Sequence, residues 1–204
     1  MRNPENISSL LALKPDFVGY IFYNKSKRFV ADFPQIDFPK SIKKVGVFVN
    51  ETIDEIIKKV NKFQLDFVQL HGDETPEFCI KLKSRHSESV SESHNFGVIK
   101  AFSVDEDFDF NTTNKFQEVC DFLLFDTKGK DYGGNGIKFN WEILQKYKGE
   151  TPFLLSGGIS KEDANEIKRI SHVSFAGVDI NSGFEIEPAL KNINDIKEFK
   201  QNLL

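Results

Sequence analysis

The sequence predicts an α/β fold, a (β/α)8 barrel, on three observations. Short apolar runs alternate with capped, amphipathic helical stretches along the whole chain, the pattern of parallel strands joined by right-handed crossovers. Late in the chain, two strand ends finish in small residues, Gly157-Gly158 and Asn181-Ser182-Gly183, leaving backbone N–H groups uncovered near a helix start. Two such turns in succession match the phosphate site after strands seven and eight of a barrel. The third observation is length: 204 residues fit one domain, 1–204, with a sizeable core, at the short end for a barrel.

The elements follow in order. Asn3 caps a first helix, Pro4 suits its first position, and Ile7, Leu10 and Leu11 form its apolar stripe. After Lys14-Pro15-Asp16, Phe17–Tyr23 is a buried strand, followed by the polar loop Asn24–Arg28. Residues 31–43 hold two prolines and are read as a short, irregular helix. Val45–Val49 is the next strand, and Thr52–Phe63 a helix with Ile53, Ile56, Ile57, Val60 and Phe63 on one face. Phe67–His71 is a strand whose loop Gly72-Asp73-Glu74 leads to a helix start at Thr75-Pro76-Glu77. Residues 84–95 are polar and low in complexity, read as a solvated insertion on the face opposite the strand ends. Val98–Val104 is a strand, Phe108–Val119 a helix, and Phe122–Asp126 a strand with the long glycine-containing loop Thr127–Gly136. Asn140 and Trp141 open another helix. Pro152–Ser156 is a strand short and apolar enough to be buried on both faces. Ser160, with Asp163 three residues on, forms a capping box for the helix after the glycines. Phe175–Ile180 is the last strand, and Pro188–Leu203 a closing helix with Leu190, Ile193 and Ile196 inward. The count is seven strands and eight helices, starting on a helix; a closed barrel needs an eighth strand and the one lacking is the first, so either the sheet is open with two edges or the chain lacks its leading strand.

Composition excludes several classes. Net charge is -4 with acids and bases interspersed, so no basic footprint for nucleic acid is present. No apolar run reaches the ~18 residues of a membrane span. MRNPENISS has no signal-peptide pattern. Two cysteines, Cys79 and Cys120, do not make a disulfide framework and are read as core thiols, so a reducing, cytoplasmic setting is expected.

Active residues of such barrels lie at the carboxyl ends of strands. Four polar positions fall there: Arg28, His71, Asp126 and Asp179. Arg28 is either an exposed loop charge or a planar fork for an anionic group. His71 is either a satisfied structural histidine or a site residue. Asp126, after four apolar residues, either caps the following loop or serves as an acid. Asp179 either holds the adjacent turn or joins the site. His86, His94 and His172 carry no role.

Several stretches resemble phosphoribosylanthranilate isomerases, barrel enzymes of tryptophan biosynthesis. They are GYIFYNKSKR at Gly19–Arg28, KVGVFVN at Lys44–Asn50, QLHGDE at Gln69–Glu74, VIKAF at Val98–Phe102 and LFD at Leu124–Asp126. GGNGIKFNW at Gly133–Trp141, LSGGI at Leu155–Ile159 and GVDINSG at Gly177–Gly183 complete the series, in family order. QLHGDE and the Ser-x-Arg loop are the specific ones. The resemblance implies a ribulose-phosphate-binding barrel that rearranges N-(5'-phosphoribosyl)anthranilate to 1-(2-carboxyphenylamino)-1-deoxyribulose 5-phosphate without cofactor or metal. Asp126 then resembles the general acid that opens the ribose ring, and Arg28 the group facing the anthranilate carboxylate. His71 and Asp179 resemble substrate-positioning residues. Gly157, Gly158, Asn181, Ser182 and Gly183 resemble the phosphate cup. Thr127–Gly136 resembles a mobile loop, departing from the family at Tyr132. The partner is a phosphorylated small molecule, with neither nucleic acid nor membrane, and the assembly a monomer or homodimer.

The family opens on a strand ending in Lys-x-Cys-Gly, whose cysteine is the general base. Met1 aligns just after that pair, so the resemblance implies a chain lacking the strand the count lacks, impaired for want of the base. Neither Cys79 nor Cys120 falls at a strand's carboxyl end. Two alternatives stand beside this reading. One is another phosphate-binding barrel such as an indole-glycerol-phosphate synthase, which would want strand-end lysines that Lys100 could supply. The other is a binding barrel that keeps the cup without turnover.

Overall fold

The structure, a computed structural model, describes residues 1–32, 36–89, 95–129 and 138–204, without the side chains of 86–89. Seven strands form one parallel sheet in sequence order: β1 (Phe17–Ile21), β2 (Lys43–Phe48), β3 (Phe67–Leu70), β4 (Gly97–Val104), β5 (Phe122–Thr127), β6 (Phe153–Leu155) and β7 (Phe175–Val178). The sheet curls into a half-barrel whose edges, β1 and β7, are not paired with each other among the described residues. The α/β class and the seven parallel strands therefore match the sequence reading, and among the described residues the sheet is open with two edges, one of the two arrangements that the strand count left.

The outer layer holds α1 (Pro4–Leu11), α2 (Ile53–Phe63), α3 (Pro76–Ser89), α4 (Ala164–Ile167) and α5 (Ile193–Leu203). The expected caps form. Asn3 accepts from the Asn6 N–H at 2.8 Å, and Thr52 from the Glu55 N–H at 3.3 Å. Their stripes bury Ile7, Leu10 and Leu11 from α1, and Ile56, Ile57, Val60 and Phe63 from α2, against the outer face of the sheet.

The expectation of eight helices is corrected to five α-helices and four 3-10 turns among the described residues. Phe110–Phe116 is a 3-10 turn because Thr112 and Thr113 hydroxyls bond back to the Asp109 and Phe110 carbonyls, a local competition that disfavours the α-helix. Trp141–Lys146 and Lys161–Asp163 are likewise 3-10 turns, the latter running into the single turn of α4. The described part of 31–43 contains no helix; Pro39 removes a donor there. The polar stretch 84–95 is not an insertion throughout, since α3 continues to Ser89; residues 90–94 lie outside the described ones. The closing helix starts at Ile193, not Pro188. Before it, β8 (Glu185–Glu187) and β9 (Leu190–Lys191) form an antiparallel hairpin turned by Pro188 and Ala189, the latter at φ 73°. Asn192 then caps α5.

Alternation along the strands sorts the inner face into levels. Phe17, Phe67 and Phe122 meet edge-on at the amino ends, with ring centroids 5.2, 5.8 and 5.9 Å apart. Val45, Ile99, Ala101, Leu124 and Leu154 fill the middle. Continuing the same period puts Gln69, Asp126, Ser156 and Asp179 at the carboxyl ends, where the interior turns polar.

Candidate active site

β3 and β5 deliver the central pair. His71 follows β3 directly, its N–H donating to the Phe48 carbonyl, and its Nε2 lies 3.2 Å from Asp126 Oδ2. The Gln69 amide nitrogen is 3.1 Å from His71 Nδ1. An amide NH2 can only donate, so Nδ1 accepts and the imidazole proton sits on Nε2, facing Asp126. Asp126 is 5% exposed. Gln69 opens the QLHGDE stretch but was not named among the candidate site residues, although it shares His71's face two residues earlier on the same strand.

Asp179 follows β7, with its N–H on the Leu155 carbonyl at 2.8 Å and its Oδ2 accepting from Ser156 Oγ at 3.3 Å. It keeps some exposed surface, yet the surrounding chain strips its carboxyl of water. Burial, and second the Asp126 charge, push its pKa up from the ordinary value, against Lys191 and His71 pulling it down. Two carboxyls and an imidazole thus share one face of the mouth.

The loop that carries His71 is fixed from behind. Glu74 accepts from the N–H groups of Asn50 (2.8 Å) and Gly72 (2.9 Å), and pairs with Lys100 Nζ at 3.2 Å. Lys100 also donates to the Leu70 and Gly72 carbonyls, which accounts for its three protons. Lys100 is therefore a buried brace of this loop and not a strand-end lysine of the mouth, which removes the feature that the synthase alternative wanted.

The two glycine turns meet beside this cluster. Gly157 and Gly158 have φ of 90° and 67°, left-handed values that glycine adopts without strain. A Cβ on Gly157 would overlap the Thr127 backbone nitrogen and crowd Asp126 Oδ1, and one on Gly183 would overlap the Ile159 carbonyl oxygen. No described residue accepts from the N–H groups of Gly157, Gly158, Ser182 or Gly183. The Thr127 hydroxyl, buried against Gly157, has no partner among the described residues either. Ser160 and Asp163 make the expected reciprocal box, the Ser160 N–H donating to Asp163 Oδ2 at 2.7 Å. The helix it starts is too short for a useful dipole, so any anion here would rest on the bare amides.

Arg28 is not an unattached loop charge. Its Nε lies 3.0 and 2.8 Å from the two Glu185 carboxylate oxygens, and its Nη2 2.6 Å from Oε2. Glu185 in turn accepts from Lys191 Nζ at 3.3 Å and from the Ala189 N–H at 3.1 Å. Burial would raise the Glu185 pKa, but Arg28 and Lys191 hold it below the ordinary value. Lys191, 8% exposed, is pushed down by burial. Neither residue was foreseen. The hairpin that brings them inward has only Pro188 and Ala189 as its trace, and Lys191 falls inside the stretch Pro188–Leu203 that was read as the closing helix.

The remaining candidates lie elsewhere. His172 bridges the Tyr147 carbonyl and the Ser174 N–H, a structural position. Cys79 in α3 and Cys120 at the amino end of β5 are buried thiols side by side; hydrogen bonding to Cys79 and burial raise the Cys120 pKa, while that bond lowers the Cys79 pKa. His94 and the loop residues 130–136, with Tyr132, fall outside the described residues, as does the His86 side chain.

A family profile for N-(5'-phosphoribosyl)anthranilate (PRA) isomerase matches residues 1–202. The N-(5'-phosphoribosyl)anthranilate isomerase of Parabacteroides distasonis is 47% identical, over 100% of this chain and 90% of its own length. The crystal structure of phosphoribosyl anthranilate isomerase from Thermotoga maritima superposes with a TM-score of 0.81 at 32% identity, covering 100% of this chain and 95% of that one. A phosphoribosyl anthranilate isomerase in complex with reduced 1-(o-carboxyphenylamino)-1-deoxyribulose 5-phosphate gives 0.78 at 30% identity, covering 100% and 94%. Family profile, sequence identity and backbone superposition agree over essentially the whole chain: it belongs to the N-(5'-phosphoribosyl)anthranilate isomerase family, enzymes of tryptophan biosynthesis.

Proposed function

We propose that this chain, as a single domain, converts N-(5'-phosphoribosyl)anthranilate to 1-(2-carboxyphenylamino)-1-deoxyribulose 5-phosphate by general acid–base catalysis. The observation that carries the reading is the cluster of His71, Asp126 and Asp179 at the carboxyl ends of three strands, beside two turns of bare amides. Asp126 gives a proton to the ribose ring oxygen as the C1–O bond breaks, while the anilino nitrogen lone pair forms the C1=N bond of an iminium. A base then takes the C2 proton, and those electrons make the C1=C2 bond of an enolamine. Protonation at C1 and loss of the C2 hydroxyl proton give the ketone. His71 orients Asp126 through its Nε2 proton, and Asp179 positions the sugar. The amides of Gly157, Gly158, Asn181, Ser182 and Gly183 hold the phosphate. Arg28 meets the anthranilate carboxylate.

Neither Cys79 nor Cys120 is assigned as the base, because both are buried away from the carboxyl ends of the strands. The base is inferred from the family resemblance alone, as a cysteine closing a Lys-x-Cys-Gly strand of a (β/α)8 barrel, and the test below supplies such a strand. The enzyme works in the cytoplasm as a monomer or homodimer.

The test is turnover of N-(5'-phosphoribosyl)anthranilate, followed by its anthranilate-type fluorescence. It uses this chain, a version extended by such a strand, and the extended version with Asp126→Asn. The expected result is turnover by the extended protein that Asp126→Asn cuts by about 10²–10⁴-fold. Equal turnover with and without the added strand would remove the assigned base. Folded proteins that bind the reduced product analogue and turn nothing over would overturn the catalytic reading.

A further inference from the structure

Two of the groups that the proposed reaction needs, Arg28 and the Asn181–Gly183 turn, belong to different strand ends and different halves of the ligand. One buried ammonium joins them. Lys191 Nζ lies 2.7 Å from Asn181 Oδ1, 3.0 Å from the Asn181 carbonyl and 3.3 Å from Glu185 Oε1, so all three of its protons have acceptors. Its backbone is clamped by one side chain of α1. The Lys191 N–H donates to Asn6 Oδ1 at 2.8 Å, and the Lys191 carbonyl accepts from Asn6 Nδ2 at 2.8 Å. Glu185 then spends both carboxylate oxygens on the Nε–Nη2 edge of Arg28, fixing the guanidinium plane.

A hairpin of two short strands does not need a buried lysine, and burying one is costly unless every proton is matched. Here every match falls on Asn181 or Glu185, and none on the rest of the hairpin. On the isomerase reading above, on which this inference rests, we infer that Lys191 is a positioning residue that couples the phosphate turn to the aryl-carboxylate clamp. It acts through Asn181 on one side and through Glu185 and Arg28 on the other, and touches no reacting atom. Glu185 is the positioning residue for Arg28 alone: it uses one edge of the fork and leaves the Nη1 edge, which has no partner among the described residues, for the ligand carboxylate.

The experiment uses isothermal titration of the whole chain with three probes: the reduced product analogue, anthranilate for the carboxylate half, and ribulose 5-phosphate for the phosphate half. Lys191→Met weakens both fragments, each on the order of 10-fold or more, the loss expected for hydrogen bonds to a charged group. Glu185→Gln weakens anthranilate and spares ribulose 5-phosphate, and Asn181→Ala does the reverse. Lys191→Arg keeps the charge but not the three-point fit, and restores part of the binding; it also serves if the methionine variant does not fold. A ligand-free readout runs in parallel. The Arg28 Nε–H resonance, held by Glu185, moves in Lys191→Met and in Lys191→Arg. A Lys191 variant that folds and loses only one fragment, or neither, overturns the coupling, as does an unmoved Arg28 resonance. If the parent chain binds no probe yet the Arg28 resonance responds, the isomerase reading fails and the positioning link stands.

Discussion

Asp179 carries a carboxyl whose ionised form is disfavoured in the folded protein, by burial first and the Asp126 charge second. Below about pH 4, the ordinary aspartate value, it is protonated in both folded and unfolded chains and contributes no difference. As pH rises, the unfolded chain ionises first, and stability falls until the folded group also ionises. Asp179→Asn is therefore expected to melt higher than the parent at neutral pH, with the gap closing towards pH 4, and to lose activity. A set of melting curves against pH checks the sign; a gap that widens on acidification would contradict it. Gly157 gives a second prediction at this scale. Its φ of 90° and the Thr127 nitrogen beside it leave no room for a side chain. Gly157→Ala should cost about 1–3 kcal/mol in denaturant unfolding and abolish binding of the phosphate half. The strand-end positions of His71, Asp126 and Asp179 were readable because an apolar run ending in a polar residue marks where a strand leaves the core, and Arg28 because it closes the polar loop that follows the first such run. Their partners were not: Glu185 reaches Arg28 across 157 residues of sequence, a separation at which no periodicity operates.

At the scale of elements, the helices with strong caps and clean stripes, α1 and α2, were legible to within a residue or two. Caps and stripes are local, so they can be read locally. Elements whose form depends on side-chain competition or on distant packing were not: Phe110–Phe116 tightened to 3-10, and Glu185–Lys191 became a hairpin. The loop after β3 illustrates how an element serves the site. Lys100 and Glu74 are an ion pair with side chains 4% and 2% exposed, and it braces the carbonyls and amides that aim His71. Lys100→Met leaves the Glu74 charge buried without its cation. It is expected to cost about 3–5 kcal/mol, read from urea midpoints. In any variant population that stays folded, kcat should fall as His71 loses its support. Unchanged stability would mean that the pair is not sealed from water.

At the scale of the whole molecule, the sheet is unequal across its width. β4 and β5 are paired on both sides through long registers, whereas β1 and β7 each have one neighbour among the described residues. Hydrogen exchange should follow that order, with amides of β4 and β5 protected to near the global unfolding limit and those of β1 and β7 exchanging sooner. Ligand binding should stabilise the whole. At a hundredfold excess over Kd, the reduced product analogue is expected to add about 2.7 kcal/mol to unfolding, a rise of several degrees in Tm. Among the described residues, no helix is long and apolar enough to cross a membrane.

The sequence by itself determined the alternation of strand and helix, the seven parallel strands, the capped helices and the strand-end ring of candidate residues. These follow from short-range physics: the period of apolar residues, cap chemistry and the glycine turns. Only the tertiary structure decided that the sheet is an open half-barrel, that Asp126 meets His71, and that Gln69 orients that imidazole. It alone decided that Lys191 and Glu185 bind the Arg28 fork to the Asn181 turn. Those outcomes depend on strand curvature and on buried charges that find each other across the fold, and such pairings carry no trace in neighbouring residues.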